Sequence, residues 1–204
     1  MSAPGHPRIA GFDEVGRGCL AGAVIAAAVI LPDDGSSLPG LTDSKQLSPR
    51  RREEMAALIR KTAVAFGIGR AGPAEIDELN ILQASLLAMQ RAYDALDVVP
   101  ELGLVDGKHC PLLPCASRAI VGGDLSVPAI SAASILAKVY RDREMVIAEH
   151  LFPGYGFAIH KGYPTASHRA ALNRLGPSPL HRLSFKPVHA SLQALPPHQT
   201  RESD

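Results

Sequence analysis

The chain has 204 residues, 46% hydrophobic and 20% charged, with a formal charge of +1. That composition supports one compact domain with a sizeable core and excludes a disordered or fibrous chain. No apolar run approaches the roughly 18 residues that span a bilayer, and Met1–Arg8 lacks the basic start and apolar centre of a signal peptide, so a cytoplasmic protein with no membrane partner is expected.

Residues 1–7 read as a loose terminus. Ile9-Ala10-Gly11-Phe12 is a short apolar strand that runs into Asp13-Glu14 and then Gly16-Arg17-Gly18. Strand side chains alternate between faces, so Asp13 continues one face while Glu14 points to the other or into the turn. The two glycines let the backbone turn tightly and bring amide N–H groups against a phosphate or sugar. Ala21–Leu31 is a small-residue and β-branched run suited to a buried strand, closed by the turn Pro32-Asp33-Asp34-Gly35. Ser48 caps a helix beginning at Pro49, with Met55, Leu58, Ile59 and Thr62 as its inner face. Phe66–Gly69 is a further strand, and Leu82, Leu86, Met89, Tyr93 and Leu96 recur at the spacing of a core helix.

Leu102–Val105 forms a strand with Asp106 at its end, and Ala119-Ile120-Val121 forms another that ends at Gly122-Gly123-Asp124. A long helix spans Ala129 to His150. Ala133, Leu136, Tyr140 and Ile147 make its buried stripe, and Ser131, Ile135, Lys138 and Asp142 line its other side. Thr165 caps a further helix that Gly176-Pro177 stops. Strands early and helices later imply an α/β layer structure with a mixed sheet.

Charge is distributed unevenly. No acid lies between Glu149 and Glu202, whereas Lys161, Arg169, Arg174, Arg182, Lys186 and Arg201 do, together with His150, His160, His168, His181, His189 and His198. Acids that hold cations and a basic segment that holds phosphates suit an enzyme acting on a polyanion; a solvated basic surface is the plain alternative. The acids also have a pattern, because three predicted strands end in one: Asp13-Glu14, Asp106 and Asp124. Ligands of open α/β sheets gather at strand ends, so these carboxylates are expected to converge. Two hard divalent ions about 4 Å apart would relieve their repulsion and clamp an in-line displacement at phosphorus. Taken singly, each Asp is an ordinary turn former. Cys19, Cys110 and Cys115 cannot all pair with one another, and His109 with Cys110 and Cys115 lacks the second ligand pair of a zinc site, so these are read as loop thiols.

From the first strand to about Val188 the ordered motifs Gly11-Phe12-Asp13-Glu14-Val15-Gly16-Arg17-Gly18, Asp43-Ser44-Lys45, Leu104-Val105-Asp106-Gly107, Gly122-Gly123-Asp124, Ile130 to Val139, Arg141-Asp142-Arg143, Pro153 to Phe157, His160-Lys161-Gly162-Tyr163 and His181 to Phe185 resemble bacterial ribonuclease HII. The resemblance implies a ribonuclease H-like fold, with a central mixed sheet flanked by helices and a helical C-terminal extension. It implies one catalytic domain over residues 8–190, its basic substrate-binding part at about 150–190, and a tail at 191–204. It places four metal-binding acids on Asp13, Glu14, Asp106 and Asp124, with Asp142 supporting them nearby; a surface ion pair with Lys138 is the rival reading of Asp142. Gly16, Arg17 and Gly18 would lie against the sugar edge, where the 2'-OH marks RNA. Tyr163 would stack on the deoxyribose after the ribonucleotide, and Lys45 would contact phosphate. Asn80, Ser134, Lys138 and Arg182 are further backbone-contact candidates, whereas Arg50, Arg51 and Arg52 read as a solvated face. Gly122 stands where relatives often have lysine, thinning the positive field near Asp124, and Pro164 stands where many have glycine, stiffening the Tyr163 loop.

The implied activity is a monomeric Mg2+- or Mn2+-dependent endoribonuclease that cuts RNA/DNA hybrids and nicks 5' of ribonucleotides in duplex DNA. It would leave 3'-OH and 5'-phosphate ends and serve ribonucleotide removal and RNA primer or hybrid removal. The short run before the first strand leaves no room for the N-terminal domain of ribonuclease HIII relatives, which points to type HII, and Ala190–Asp204 shows no clamp-binding motif. The rivals are a junction resolvase of the same fold, which needs no 2'-OH reader, and a hybrid-binding protein without chemistry, which needs no intact acids. A metal-dependent phosphomonoesterase has no use for a long basic surface.

Overall fold

A computed structural model describes residues 7–194 of the chain. Five strands form one sheet: β1 (Ile9–Val15), β2 (Val24–Ile30), β3 (Ala65–Ala71), β4 (Leu102–Asp106) and β5 (Ala116–Ile120), in the order β3-β2-β1-β4-β5. The β1–β2 and β2–β3 pairs are antiparallel, and β1–β4 and β4–β5 are parallel, so the sheet is mixed as the sequence implied. The helices are α1 (Pro49–Thr62), α2 (Pro73–Leu79), α3 (Ile81–Asp94), α4 (Gly123–Ser126), α5 (Pro128–Leu151), α6 (Phe157–His160), α7 (Ala166–Leu175) and α8 (Lys186–Ala194). Among the described residues no helix is long and apolar enough to cross a membrane.

β2 is buried along its whole length because both sheet faces are covered: α3 packs on one, α1 and α5 on the other. Small residues set these spacings. On the first face Ala88 and Ala92 of α3 meet Gly67 and Gly69 of β3; a Cβ on Gly69 would lie 2.0 Å from the Ala88 carbonyl oxygen. On the second face α5 crosses β1 at Gly11, where a Cβ would come 2.1 Å from the Ala129 carbonyl carbon. That crossing holds the start of α5 beside the acids of β1.

Several local readings change. The inner face of α1 is Met55, Ala56 and Ile59, while Leu58 is exposed, because the sheet lies one position further round. Burial in α3 falls on Ala84, Ala88 and Ala92 with Ser85 and, of the expected stripe, Met89, whereas Leu82, Leu86 and Tyr93 sit only partly covered beside them. α5 has no stripe in its first half: residues 129–137 are all buried, including Ser131 and Ile135 of the supposed polar side. Further along, Ile147 of the expected stripe is exposed and Tyr140 only partly covered, and burial falls instead on Val139, Arg141, Met145 and Ala148. α2, α6 and α8 have no counterpart in the sequence reading. α8 carries the chain to Ala194, past the expected end of the domain at 190, and the remaining tail and residues 1–6, with His198 and Arg201, lie outside the described residues.

Candidate active site

Parallel pairing of β1 with β4 sets Phe12 level with Val105, so the next residues along, Asp13 and Asp106, stand side by side at the same end of the sheet. Asp13 is buried, and its Oδ1 accepts the Glu14 amide at 2.7 Å. Both acids of β1 lie within the strand rather than beyond it. Asp124 differs from expectation as well: it is on α4, one turn past the end of β5. Asp106 places that turn, because its Oδ1 accepts the Gly123 amide at 2.8 Å, and Ser131 of α5 holds it from the other side by donating to the Asp124 carbonyl at 2.7 Å.

The four carboxylates act on one another. Burial holds the Asp13 carboxyl well above the ordinary carboxylate range, and the charges of Glu14 and Asp106 push the same way. Burial also raises Glu14 against the pull of Arg17, and burial together with Asp124 raises Asp106. Two cations reach the group. Arg17 Nη1 is 3.0 Å from Glu14 Oε1, and Lys45 Nζ is 3.1 Å from Asp124 Oδ2. Lys45 is delivered by a 3-10 turn, Ser44–Gln46, capped by Asp43 and tied to α5 through a 2.8 Å bond from Ser134 Oγ to Ser44 Oγ.

No group of three or more His, Cys, Asp or Glu side chains among the described residues is arranged to hold an ion as it stands, and this covers His109, Cys110 and Cys115 as well. Glu14 leans to Arg17 and Asp124 to Lys45, which separates like charges. The donors are nonetheless all hard oxygens, and burial with mutual repulsion leaves three of them short of positive charge. A divalent cation such as Mg2+ or Mn2+ corrects that deficit, so the residues fit one.

Gly16 takes a positive φ of 95°, whereas Gly18 faces open space, with nothing within 4 Å of a Cβ built on it. Tyr163 is 40% exposed, and Lys138 Nζ lies 5.7 Å from its ring centroid. Asp142 is held between two cations: Lys138 Nζ is 2.7 Å from its Oδ1, and Arg52 Nη1 is 3.7 Å from its Oδ2. The i,i+4 pair is therefore real, and with Arg52 it forms a cluster beside Tyr163, so Arg52 is not simply part of a solvated face.

Three other candidates are placed where they cannot reach a nucleic acid directly or already have work to do. Arg182 is fully buried and Ser134 is buried, while the Asn80 side chain caps α3 through the amides of Leu82 and Gln83. Arg141, in sequence only a member of the Arg141-Asp142-Arg143 motif, is fully buried. Its signal was an arginine at helical spacing between the buried Ala137 and Met145.

The sequence profile of the ribonuclease HII family matches residues 10–188. A ribonuclease HII from Nitrosococcus oceani (strain ATCC 19707 / BCRC 17464 / JCM 30415 / NCIMB 11848 / C-107) is 62% identical over 187 residues, covering 92% of each chain. Among solved structures, the PCNA:RNase HII complex from Archaeoglobus fulgidus matches with a TM-score of 0.71 at 28% identity, over 88% of this chain and 95% of that one. Bst-RNase HIII in complex with Mn2+ shares the fold, with a TM-score of 0.75 at 20% identity, over 92% of this chain and 70% of that one.

Proposed function

Because the chain belongs to the ribonuclease HII family and is a ribonuclease H enzyme of type HII, we propose that it is a divalent-metal-dependent endonuclease that cuts the RNA strand of RNA/DNA hybrids. It also nicks duplex DNA on the 5' side of a single ribonucleotide, leaving 3'-OH and 5'-phosphate ends. Residues 8–190 act as one catalytic domain, monomeric and cytoplasmic, whose work is removal of misincorporated ribonucleotides and of RNA from hybrids. The observation that carries this reading is the gathering of four mutually repelling carboxylates at one sheet end, beside the open face of Gly18.

Asp13, Glu14, Asp106 and Asp124 hold Mg2+ or Mn2+, and the Mn2+ in the HIII relative supports that assignment. When bound, such ions supply Lewis-acid polarisation of the phosphodiester and a nucleophile at neutral pH. The chain's own residues do the rest. Gly16, Arg17 and Gly18 present backbone to the ribose edge, where only glycine at position 18 leaves room for close approach. Tyr163 offers its exposed ring to the sugar on the DNA side of the junction, and the Lys138–Asp142–Arg52 cluster fixes its surroundings. Lys45, 77% exposed at its side chain beside Asp124, is placed to contact a phosphate.

The test is cleavage of a DNA duplex carrying one ribonucleotide, beside an all-DNA control, in Mg2+, Mn2+ and EDTA. A metal-dependent nick 5' of the ribonucleotide, absent from the control, is expected. Cutting of long hybrids alone would remove the junction role given to Tyr163, and no cutting in either metal would favour a binding-only protein. Binding should weaken steeply with salt if residues 150–190 track phosphates.

A further inference from the structure

Arg141 and Arg182 are the two largest fully buried side chains. Among the described residues neither forms a salt bridge within 4.0 Å. Asp77, the acid whose charge reaches Arg182, accepts instead from the Leu183 and Ser184 amides at 2.9 Å each. A buried charge is costly unless its hydrogen bonds are met; here backbone carbonyls reach every guanidinium nitrogen of Arg182 and both terminal nitrogens of Arg141, and only Arg141 Nε has no partner among the described residues. Arg182 donates to Gly16 O at 2.7 Å, Arg17 O at 2.9 Å and Gly22 O at 2.9 and 3.0 Å. Arg141 donates to Ala23 O, to Ala21 O at 2.9 Å and to Lys161 O at 3.1 Å.

These carbonyls belong to two segments far apart in sequence, the turn after β1 and the loop that carries Tyr163. Glycines make room for the guanidinium between them. A Cβ on Gly16 would lie 2.5 Å from Arg141 Nε, on Gly22 3.0 Å from Nη1, and on Gly162 3.2 Å from Nη2, and all three glycines have positive φ. The Leu20 amide closes the junction by donating to Gly162 O at 2.8 Å.

The direction of the bonds matters. In a trans peptide the C=O of one residue and the N–H of the next point opposite ways. Arg182 draws the Gly16 and Arg17 carbonyls inward, which turns the Arg17 and Gly18 N–H groups outward. Neither amide has an acceptor among the described residues, and both residues are exposed.

We propose that Arg141 and Arg182 are positioning residues: they hold the Arg17 and Gly18 amides outward as a donor pair and fix that pair's distance from Tyr163, and so set the preference for a ribonucleotide followed by DNA. This rests on the junction reading given above. Burial and the neighbouring Arg141 bring Arg182 down to about 10, so it stays charged at neutral pH. Lysine at either position keeps the charge but replaces a planar fork of five donors by a point charge, which cannot hold the same set of carbonyls in one plane. A hybrid offers a ribose at every step and needs no second reader, so it is the less sensitive substrate.

The experiment compares kcat and KM on a single-ribonucleotide duplex and on an RNA/DNA hybrid for the wild type, Arg141→Lys, Arg182→Lys and Gly162→Ala, each first checked for a cooperative thermal transition. Misplacement by about 1 Å can cost about 100-fold. The expected result is therefore a fall of about tenfold or more in the single-ribonucleotide to hybrid ratio, carried by kcat. Folded variants that keep the wild-type ratio within about twofold, or lose both activities equally, overturn the proposal. A wild type that never nicks the single-ribonucleotide duplex instead refutes the junction reading itself.

Gly162→Ala leaves both arginines in place and wedges the same junction through the Ala21 carbonyl, 2.6 Å from the new Cβ, so it carries the test where a lysine variant fails to fold. On the wild type alone, NMR should find the Arg182 guanidinium N–H signals protected from exchange while the Arg17 and Gly18 amides exchange freely. The reverse pattern overturns the proposal whichever variants fold.

Discussion

Replacing Asp13 by Asn should make the metal-free protein more stable while abolishing cleavage. Asp13 is 7% exposed and sits one strand spacing from Asp106, with Glu14 adjacent in sequence. Two like charges about 5 Å apart at an effective dielectric of 20 repel by about 3 kcal/mol. The raised Asp13 carboxyl already takes up protons to escape part of that, so a net gain of about 1–3 kcal/mol is expected. Asparagine keeps an oxygen to accept the Glu14 amide, so no hydrogen bond need be lost. For a chain of this size the gain corresponds to about 2–12 °C in melting temperature. The sign follows from linkage: a carboxyl whose folded pKa is raised binds extra protons when folded, so the wild type loses stability as pH climbs from the unfolded value through the folded one, and D13N does not. The assay is thermal unfolding in EDTA and again in excess Mg2+, across pH 4 to 8. Added Mg2+ should stabilise the wild type by binding the folded state and stabilise D13N less. A D13N protein less stable than wild type in EDTA, with no Mg2+ effect on either, would refute both the repulsion argument and the assignment of these acids to a cation.

Gly18→Ala should leave stability within about 0.5 kcal/mol, since its Cβ meets nothing within 4 Å, yet lower incision at a ribonucleotide about tenfold or more. Equal incision by a folded G18A would mean that the substrate does not approach this turn. Gly11→Ala should cost about 3 kcal/mol or more in urea unfolding, because its Cβ would lie 2.1 Å from the Ala129 backbone; a loss below about 1 kcal/mol would show that α5 can shift off β1. Acid should loosen the C-terminal part through His181. Burial, with His168 acting in the same direction, lowers it from 6.5 to about 4, and its Nε2 lies 3.1 Å from that of His168. The unfolded chain then binds the extra proton, so stability is full above pH 6.5 and falls toward pH 4 by about 3 kcal/mol, at 1.36 kcal/mol per unit. Chemical denaturation at pH 7 and pH 4.5 reads this slope, which His181→Gln should flatten.

Much of the fold was legible because local signals agreed with it. Ser48-Pro49 opens α1, Thr165 caps α7, Gly176 ends it, and β2 reads as a buried strand without help. Legibility failed where a second layer decides exposure. The large residues of α3 outrank its alanines on any hydrophobicity scale, yet only alanine fits against Gly67 and Gly69. α5 looks amphipathic over its first half, but two layers enclose it there and the polar face is inside. In sequence Asp124 stands like a strand end after Ala119-Ile120-Val121, whereas the Asp106 carboxylate collects the Gly123 amide and winds the next residues into a helix.

The chain order of acids, glycines, lysine and tyrosine identified which side chains to bring together, and ordered motifs are enough for that because each is a local spacing. Their partners were a different matter. Arg182 looks in sequence like one more cation of a basic surface, and Arg141 like one more charge in an Arg-Asp-Arg run. Only tertiary structure turns both inward, because only there do the carbonyls of Gly16, Arg17 and Gly22 come within reach of Arg182 and those of Ala21, Ala23 and Lys161 within reach of Arg141. Long-range electrostatics behaves likewise. Asp106 acts on Asp13 across the parallel pairing of β1 with β4, and Asp124 acts on Asp106 from the turn of α4, and no spacing along the chain encodes how strongly.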